Sequence, residues 1–239
     1  MIIRTLQYKD SKIKILADEE KVIDTVYEEV VIQRTIIENY ADEEFLSSLV
    51  PVEIKKNAPL IIKEMTIGAK IAGVGQMATV AGVIAEFAVK RAIAVHKPAV
   101  LIVENGGDIF AYTKKKINVG LFSGENKLKD KLCFGLTEGN TPVSICSSSS
   151  VMGHSLSFGK CDLAVVLSEK ASVADGLCTA AANKVKGCGD IKEVLEWLVG
   201  KEYFLGAVII VDDKIGMIGD VPRLMKNEDF GLEGKVTKL

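Results

Sequence analysis

Apolar and polar residues alternate over residues 2–8 and 12–17, which predicts two strands joined by a turn at Lys9-Asp10-Ser11. Over residues 21–49 the period lengthens to that of a helix, with Val22, Ile23, Val26, Val30, Ile37 and Tyr40 on its apolar stripe. Asp18 is placed to cap this helix, a break is expected near Asn39, and Glu28, Glu29, Glu38, Glu43 and Glu44 form its solvated face. Pro51 ends the element, and Pro59 opens a second helix running to about Ala72. Gly73-Val74-Gly75 then punctuates the chain before a long helix over residues 77–95. An apolar run at 99–103 meets Glu104-Asn105-Gly106-Gly107-Asp108 and a second β-prone run at 109–112, which reads as strand, tight turn, strand. Further strands are expected at 116–122, 131–136, 141–145, 162–167, 206–211 and 215–218. Helices are expected at 168–185 and at 191–199, the latter with Trp197 in the core.

No Pro-rich, Ser-rich or low-complexity linker divides the 239 residues, so one domain spanning 1–239 with one continuous core is expected. Thirty basic residues against 32 acidic ones leave a net charge of −2, which argues against nucleic acid as a partner, because phosphate neutralisation needs a basic face. The five cysteines form no CxxC pair and the two histidines, His96 and His154, complete no zinc-finger spacing. That usage suggests reduced thiols and a cytoplasmic location. Residues 71–89 carry a single charge, Glu86, and approach the length of a membrane span. They are built from Gly, Ala and Val and flanked by Lys70, Lys90 and Arg91, so a buried small-residue helix is expected and no membrane.

Three stretches carry candidate chemistry. The paired glycines Gly106 and Gly107 allow positive φ, and Glu104, Asn105 and Asp108 set hydrogen-bonding groups around them that could meet a polar ligand; an ordinary hairpin turn is the simpler alternative. Ser147-Ser148-Ser149-Ser150-Val151-Met152-Gly153-His154-Ser155 concentrates five hydroxyls and one imidazole, enough to wrap a phosphate or a sugar, although a flexible surface loop has the same composition. Asp175 and Thr179 are four apart on a helix and could offer two oxygens to a hard cation such as Mg²⁺; Ser172-x-x-Asp175 equally reads as a capping box. Gly73, Gly75, Ala78, Ala81, Gly82 and Ala85 leave one side of the preceding region without bulk, so a strand, a helix or an anionic ligand can approach its backbone. No third glycine follows at the dinucleotide spacing.

A small-residue helix, a Gly-Gly-Asp hairpin, a Gly-His-Ser loop and Ala-Asp-x-x-x-Thr-Ala opening a later helix resemble, in that order, the ApbE-like superfamily, best known for FAD:protein FMN transferases. The resemblance covers roughly residues 68–185 and points to its soluble, uncharacterised branch rather than to the exported transferases. It implies an α+β fold, a largely antiparallel or mixed sheet packed with helices. It also implies that Asp175 and Thr179 are magnesium ligands, that Gly106, Gly107 and Asp108 border a flavin or nucleotide pocket, and that His154 lies in the loop covering the ligand. Asp108 and His154 are then the candidate catalytic groups, with Asn105, Gly106, Gly107, Ser148, Ser149 and Ser155 as ligand contacts.

The chain departs from the transferases where their Asp-x-Gly-Gly-x-x-Lys-Gly pattern becomes Gly73-Val74-Gly75-Gln76-Met77-Ala78-Thr79, and where His-x-x-Asp-Pro becomes Gly153-His154-Ser155-Leu156-Ser157. The missing acid and lysine argue against FMN transfer itself and for an inherited pocket with altered chemistry. The leading expectation is a Mg²⁺-dependent enzyme or binder of a phosphorylated small molecule, FAD or another nucleotide. A sulfur-handling role follows instead from Cys146 and Cys178, in line with the branch's association with sulfide assimilation toward homocysteine. A non-catalytic ligand-sensing or assembly protein is the third reading, and the Ala/Gly-rich helices suit a homodimer interface as well as internal packing.

Overall fold

The computed structural model describes residues 1–9, 11–123, 128, 131–150 and 160–226. The chain opens with the hairpin β1 (Ile2–Tyr8) and β2 (Ser11–Ala17), as its alternation predicts. The helical stretch that follows divides into α1 (Glu20–Tyr40) and the short α2 (Glu43–Ser47). Asp18 does not cap α1: its Oδ2 accepts the Ala99 N–H at 2.8 Å and ties the helix start to the next strand. Helix α3 (Leu60–Ala72) ends at Gly73, whose φ of 73° is the left-handed C-cap that glycine adopts without penalty. A 3₁₀ turn, Gln76–Thr79, leads into α4 (Val80–His96).

Residues 71–89 are therefore two elements and not one helix. Among the described residues no single helix is long and apolar enough to cross a membrane; α3 and Gln76–His96 reach that composition only together, and they are bent by 101°.

The Gly-Gly turn joins β3 (Val100–Asn105) to β4 (Asp108–Thr113), and β5 (Ile117–Leu121), β6 (Leu132–Leu136) and β7 (Val143–Ser148) follow. Ser147 and Ser148, read from sequence as loop, still belong to β7, where they pair with Val165 and Ala164. Strand β8 (Leu163–Ser168), α5 (Ala171–Lys184), α6 (Ile191–Leu198), β9 (Phe204–Val211) and β10 (Lys214–Gly219) complete the sheet. A further strand, β11 (Arg223–Lys226), too polar to announce itself, pairs with β6. Trp197 is half-buried rather than core, its ring between the ammonium groups of Lys184 and Lys201 at 4.7 and 4.6 Å.

The strands form an eight-stranded sheet in the order β1-β2-β3-β4-β7-β8-β9-β10 and a three-stranded sheet β11-β6-β5, with every pairing antiparallel. Period-two alternation gives the large sheet two apolar faces. Val100, Ile102, Ile109, Ile145, Val165 and Val208 pack against the small sheet through Val119, Phe134 and Leu136. On the opposite face Leu101, Val103 and Phe110 meet α1, α3 and α4, while Cys146, Ala164, Val166, Ala207 and Ile209 meet α5 and α6. The fold is α+β, as expected.

Candidate functional site

The hairpin sets the geometry. Gly106 and Gly107 have φ of 64° and 103°, and the turn leaves Asn105 and Asp108 as a cross-strand pair. Asp108 shares the helix-facing side of β4 with Phe110, and both are buried. Its Oδ1 accepts the Ser147 backbone N–H at 3.2 Å, and the Ser147 hydroxyl donates to the Gly107 carbonyl at 2.9 Å, so β7 holds the turn closed. A Cβ on Gly107 would meet that hydroxyl at 3.2 Å, and the positive φ would strain any side chain there.

Two helices reach this spot by capping each other. Asp175, in the second turn of α5, accepts the Gly82 N–H of α4 at 2.9 Å through Oδ2. Glu86, one turn further along α4, accepts the first N–H of α5, from Ala171, at 2.7 Å. Each acid thus satisfies an orphan donor of the other helix. Ser172 Oγ is buried with no hydrogen-bond partner, so the capping-box reading of Ser172 and Asp175 does not hold; Asp175 caps α4 rather than its own helix. The Asn105 amide adds a third tie, donating to the Ala81 carbonyl at 3.1 Å.

Removing the Glu86 carboxylate should leave the Ala171 N–H buried without an acceptor. Glu86→Ala is therefore expected to cost about 1–3 kcal/mol in urea unfolding, with little of it from the ion pair to the exposed Lys90. A loss below about 0.5 kcal/mol would show that α5 is not anchored through this bond.

The carboxylates of Asp108 and Asp175 and the Cys178 thiol come together with their ligand atoms within 4.8 Å of one another. Cys146 adjoins them: its thiol is hydrogen-bonded to Asp108 and lies 3.3 Å from Ser144 Oγ. Burial, followed by repulsion from Asp175, holds the Asp108 carboxyl well above the usual carboxylate range. Burial pushes Asp175 up to about 7, against the hydrogen bonds from Gly82 and Ala81 that favour its anion. Burial, then the two acids, also raises both thiols, Cys146 and Cys178.

Across the sheet, on the face of the small sheet, Glu104 is buried opposite Lys14 with Oε2 unpartnered, and burial raises it to about 8 despite Lys14 and Lys12. Neither the convergence of the two aspartates nor the burial of Glu104 was read from sequence. The only signal was that Asp108 opens a largely apolar strand and that Asp175 lies among the small apolar residues of a helix.

Thr179 is half-buried beside the Cys178 thiol, to which its hydroxyl is hydrogen-bonded. The Ser149 hydroxyl is buried and bonded to the Cys161 carbonyl at 3.5 Å, and the Ser150 hydroxyl to that of Ala182 at 3.0 Å, so these two serines pin the chain to α5 and to the residues leading into β8. Ser148 stays half-buried in β7. His154 and Ser155, expected to cover the ligand, lie outside the described residues.

The fold is similar to that of flavin transferases of known structure. A mutant form of the flavin transferase ApbE from Vibrio cholerae superposes with a TM-score of 0.56 over 91% of this chain and 96% of its own, at 12% identity. The flavinyl transferase ApbE of Pseudomonas stutzeri, in its apo form, gives 0.56 over 92% and 94%, at 11% identity. By sequence the chain belongs to the family described as AbpE bacteria, whose profile matches residues 4–195. Its relatives include a UPF0280 protein of Methanococcus aeolicus, 35% identical over 235 residues covering 96% of this chain and 94% of that one. Another, from Methanobrevibacter smithii, is 39% identical over 207 residues covering 84% and 87%.

Proposed function

We propose that the protein binds a phosphorylated flavin or nucleotide, FAD being the first candidate, with a divalent cation at the junction of the Gly106-Gly107 turn, β7 and the start of α5. The observation that carries this reading is the meeting of two buried carboxylates, Asp108 and Asp175, beside a glycine turn in a flavin-transferase fold. Burying two acids side by side is unfavourable unless something positive joins them, and among the described residues the charged groups acting most on Asp108 are the acids Asp175 and Glu104. Asp175 and Asp108, with the Thr179 hydroxyl on the next turn of α5, offer oxygen donors to a divalent cation, and Mg²⁺ is the first ion to test. When bound, such an ion neutralises phosphate charge.

The chain's own groups do the positioning. Asp175 is oriented by the Gly82 N–H, Asp108 by the Ser147 N–H, and Gly106 and Gly107 leave the turn open to close backbone approach by a ligand. His154 as a catalytic group and Ser155 as a ligand contact are proposed from sequence, and Ser148 is the proposed hydroxyl contact on β7. The departures at 73–79 and 153–157 favour binding or an altered transfer reaction over FMN transfer to protein. Sulfur chemistry through a free thiolate has less support, because a reactive cysteine needs a lowered pKa and both buried thiols are raised.

Thermal-shift titration with FAD, FMN, ATP and AMP, each with and without Mg²⁺, tests the reading. At a ligand concentration about 100 times Kd the native state should gain about 2.7 kcal/mol, and Asp175→Ala should remove the cation-dependent part of that gain. If no ligand shifts the melting of the wild type under any condition, the proposal is wrong.

A further inference from the structure

Four candidate metal donors from three elements meet beneath the first turn of α4, and two of them are sulfur. Asp108 comes from β4, Cys146 from β7, and Asp175 and Cys178 from α5. All four are buried. Three offer ligand atoms within 4.8 Å of one another, and the fourth, Cys146, is hydrogen-bonded to one of the three. The other contacts of the thiols are Cys146 with Ser144 Oγ at 3.3 Å and the Ala171 carbonyl at 3.8 Å, and Cys178 with the Asp175 carbonyl at 3.1 Å and the Thr179 hydroxyl.

The charges are unbalanced. The charged groups acting on Asp108 are Asp175 and Glu104, both acids, while Lys90 is paired with Glu86 and Lys170 with Glu64. Gly82 closes the roof: a Cβ there would lie 3.1 Å from both Cys146 Sγ and Asp175 Cβ. The backbone of α4 therefore approaches the donors as closely as a residue without a side chain allows.

We propose that this cluster is a site for a thiophilic divalent ion of the Zn²⁺ or Fe²⁺ class, held by Asp108, Asp175, Cys146 and Cys178. The inference rests on the cation reading above and names the class of ion. Mg²⁺ demands six oxygen ligands and gives up water reluctantly, so oxygen donors alone suit it, whereas two sulfurs and two carboxylates form the four-coordinate mixed set that Zn²⁺ and Fe²⁺ accept. On binding, each thiol forms a metal–sulfur bond and releases its proton to the solvent, with no change of oxidation state.

The test uses the full-length protein, stripped with a chelator and kept reduced, and titrated with Co²⁺ as the spectroscopic probe. Saturable binding with sulfur-to-cobalt charge-transfer absorption is expected, displaced by Zn²⁺ and untouched by excess Mg²⁺. Cys178→Ser and Cys146→Ser should each diminish that absorption and weaken Co²⁺ binding by about tenfold or more. Cys188→Ser, at an exposed cysteine outside the cluster, should leave it unchanged. Circular dichroism confirms the fold of each variant, and Cys178→Ala replaces any serine variant that unfolds.

An oxygen-only cobalt spectrum, the same in wild type and Cys178→Ser, overturns the proposal, as does displacement of Co²⁺ by Mg²⁺ at comparable concentration. The two readings fail separately. FAD or ATP binding with Mg²⁺ and no sulfur–cobalt band sinks this inference and leaves the phosphate site standing. A sulfur–cobalt band with no nucleotide bound under any ion does the reverse.

Discussion

Gly68→Ala is expected to destabilise the protein by about 3 kcal/mol, and to abolish the ligand-dependent thermal shift along with it. In an exposed helix the same change would add up to about 1 kcal/mol of stability, because alanine loses less backbone entropy than glycine. Packing reverses the sign here. A Cβ built on Gly68 of α3 falls 2.1 Å from the Ser172 carbonyl oxygen and 2.4 Å from its carbon. These are backbone atoms of α5, so no side chain can swing aside. Gly176 repeats the approach one turn later, where a Cβ would meet the Gly68 carbonyl and the Ala72 methyl at 3.1 Å each.

The methyl group can be accommodated only if α3 and α5 separate, and Asp175 travels with α5. Loss of stability and loss of binding should therefore appear in one variant, by urea unfolding and by thermal shift. Gly73→Ala is the contrast: its φ is positive but nothing lies within 4 Å of the added carbon, so only backbone strain, about 1–2 kcal/mol, is expected. If Gly68→Ala is as stable as the wild type, α3 is not seated on α5 as closely as described.

The element order could be read from periodicity because most elements bury one face. The hairpin at Gly106-Gly107 was legible in detail, since adjacent glycines after an apolar run have few other uses. What stayed hidden arises from contacts distant in sequence. Asp18 looks like a helix cap from its neighbours alone, yet its carboxylate is taken by Ala99, 81 residues away. Asp175 likewise reads as the partner of Ser172 until the fold places Gly82 beside it, 93 residues away. Glu86 looks like a lone charge in an apolar helix and proves to be the cap of α5. The serine run suggested a loop by composition, but sheet pairing extends β7 through Ser148. Of the candidate site, Asn105, Asp108 and Asp175 each stand out in the sequence, but that Asp108 and Asp175 converge does not. Cys146 and Cys178 suggest sulfur chemistry from sequence but not a place beside Asp108, since a cysteine in an apolar run looks like any small core residue.

In the metal-free protein, stability is expected to fall as pH rises from about 4 to 8, a trend opposite to that of a domain whose acids are paired with bases. An unfolded aspartate releases its proton near 3.8, whereas Asp175 folded keeps it until about 7 and Asp108 also holds its proton well above 3.8. Below pH 4 both states are protonated and the contribution is fully present. Between the two pKa values the folded state holds more protons than the unfolded one, so each rise in pH favours unfolding, by about 1.4 kcal/mol per unit for one group. The loss is complete once pH passes the folded pKa. Glu104 acts in the same direction up to about 8.

Asp175→Asn removes the titrating group while its amide oxygen can still accept the Gly82 N–H and its amide hydrogens can donate to Asp108. The variant should give a flatter stability profile and, at pH 8, be at least as stable as the wild type, by a few kcal/mol at most. Adding Glu104→Gln should flatten the profile further. Surface carboxylates contribute equally to wild type and variant, so the difference between the two urea-unfolding curves across pH, recorded in chelator, isolates the buried acid. A difference that stays constant from pH 4 to 8 would mean that Asp175 is already ionised in the folded protein, with a compensating positive group beside it. A converging pair of buried acids costs stability at neutral pH, so if the proposed cation binds between them its addition should reverse that cost and restore the wild type above Asp175→Asn at pH 8.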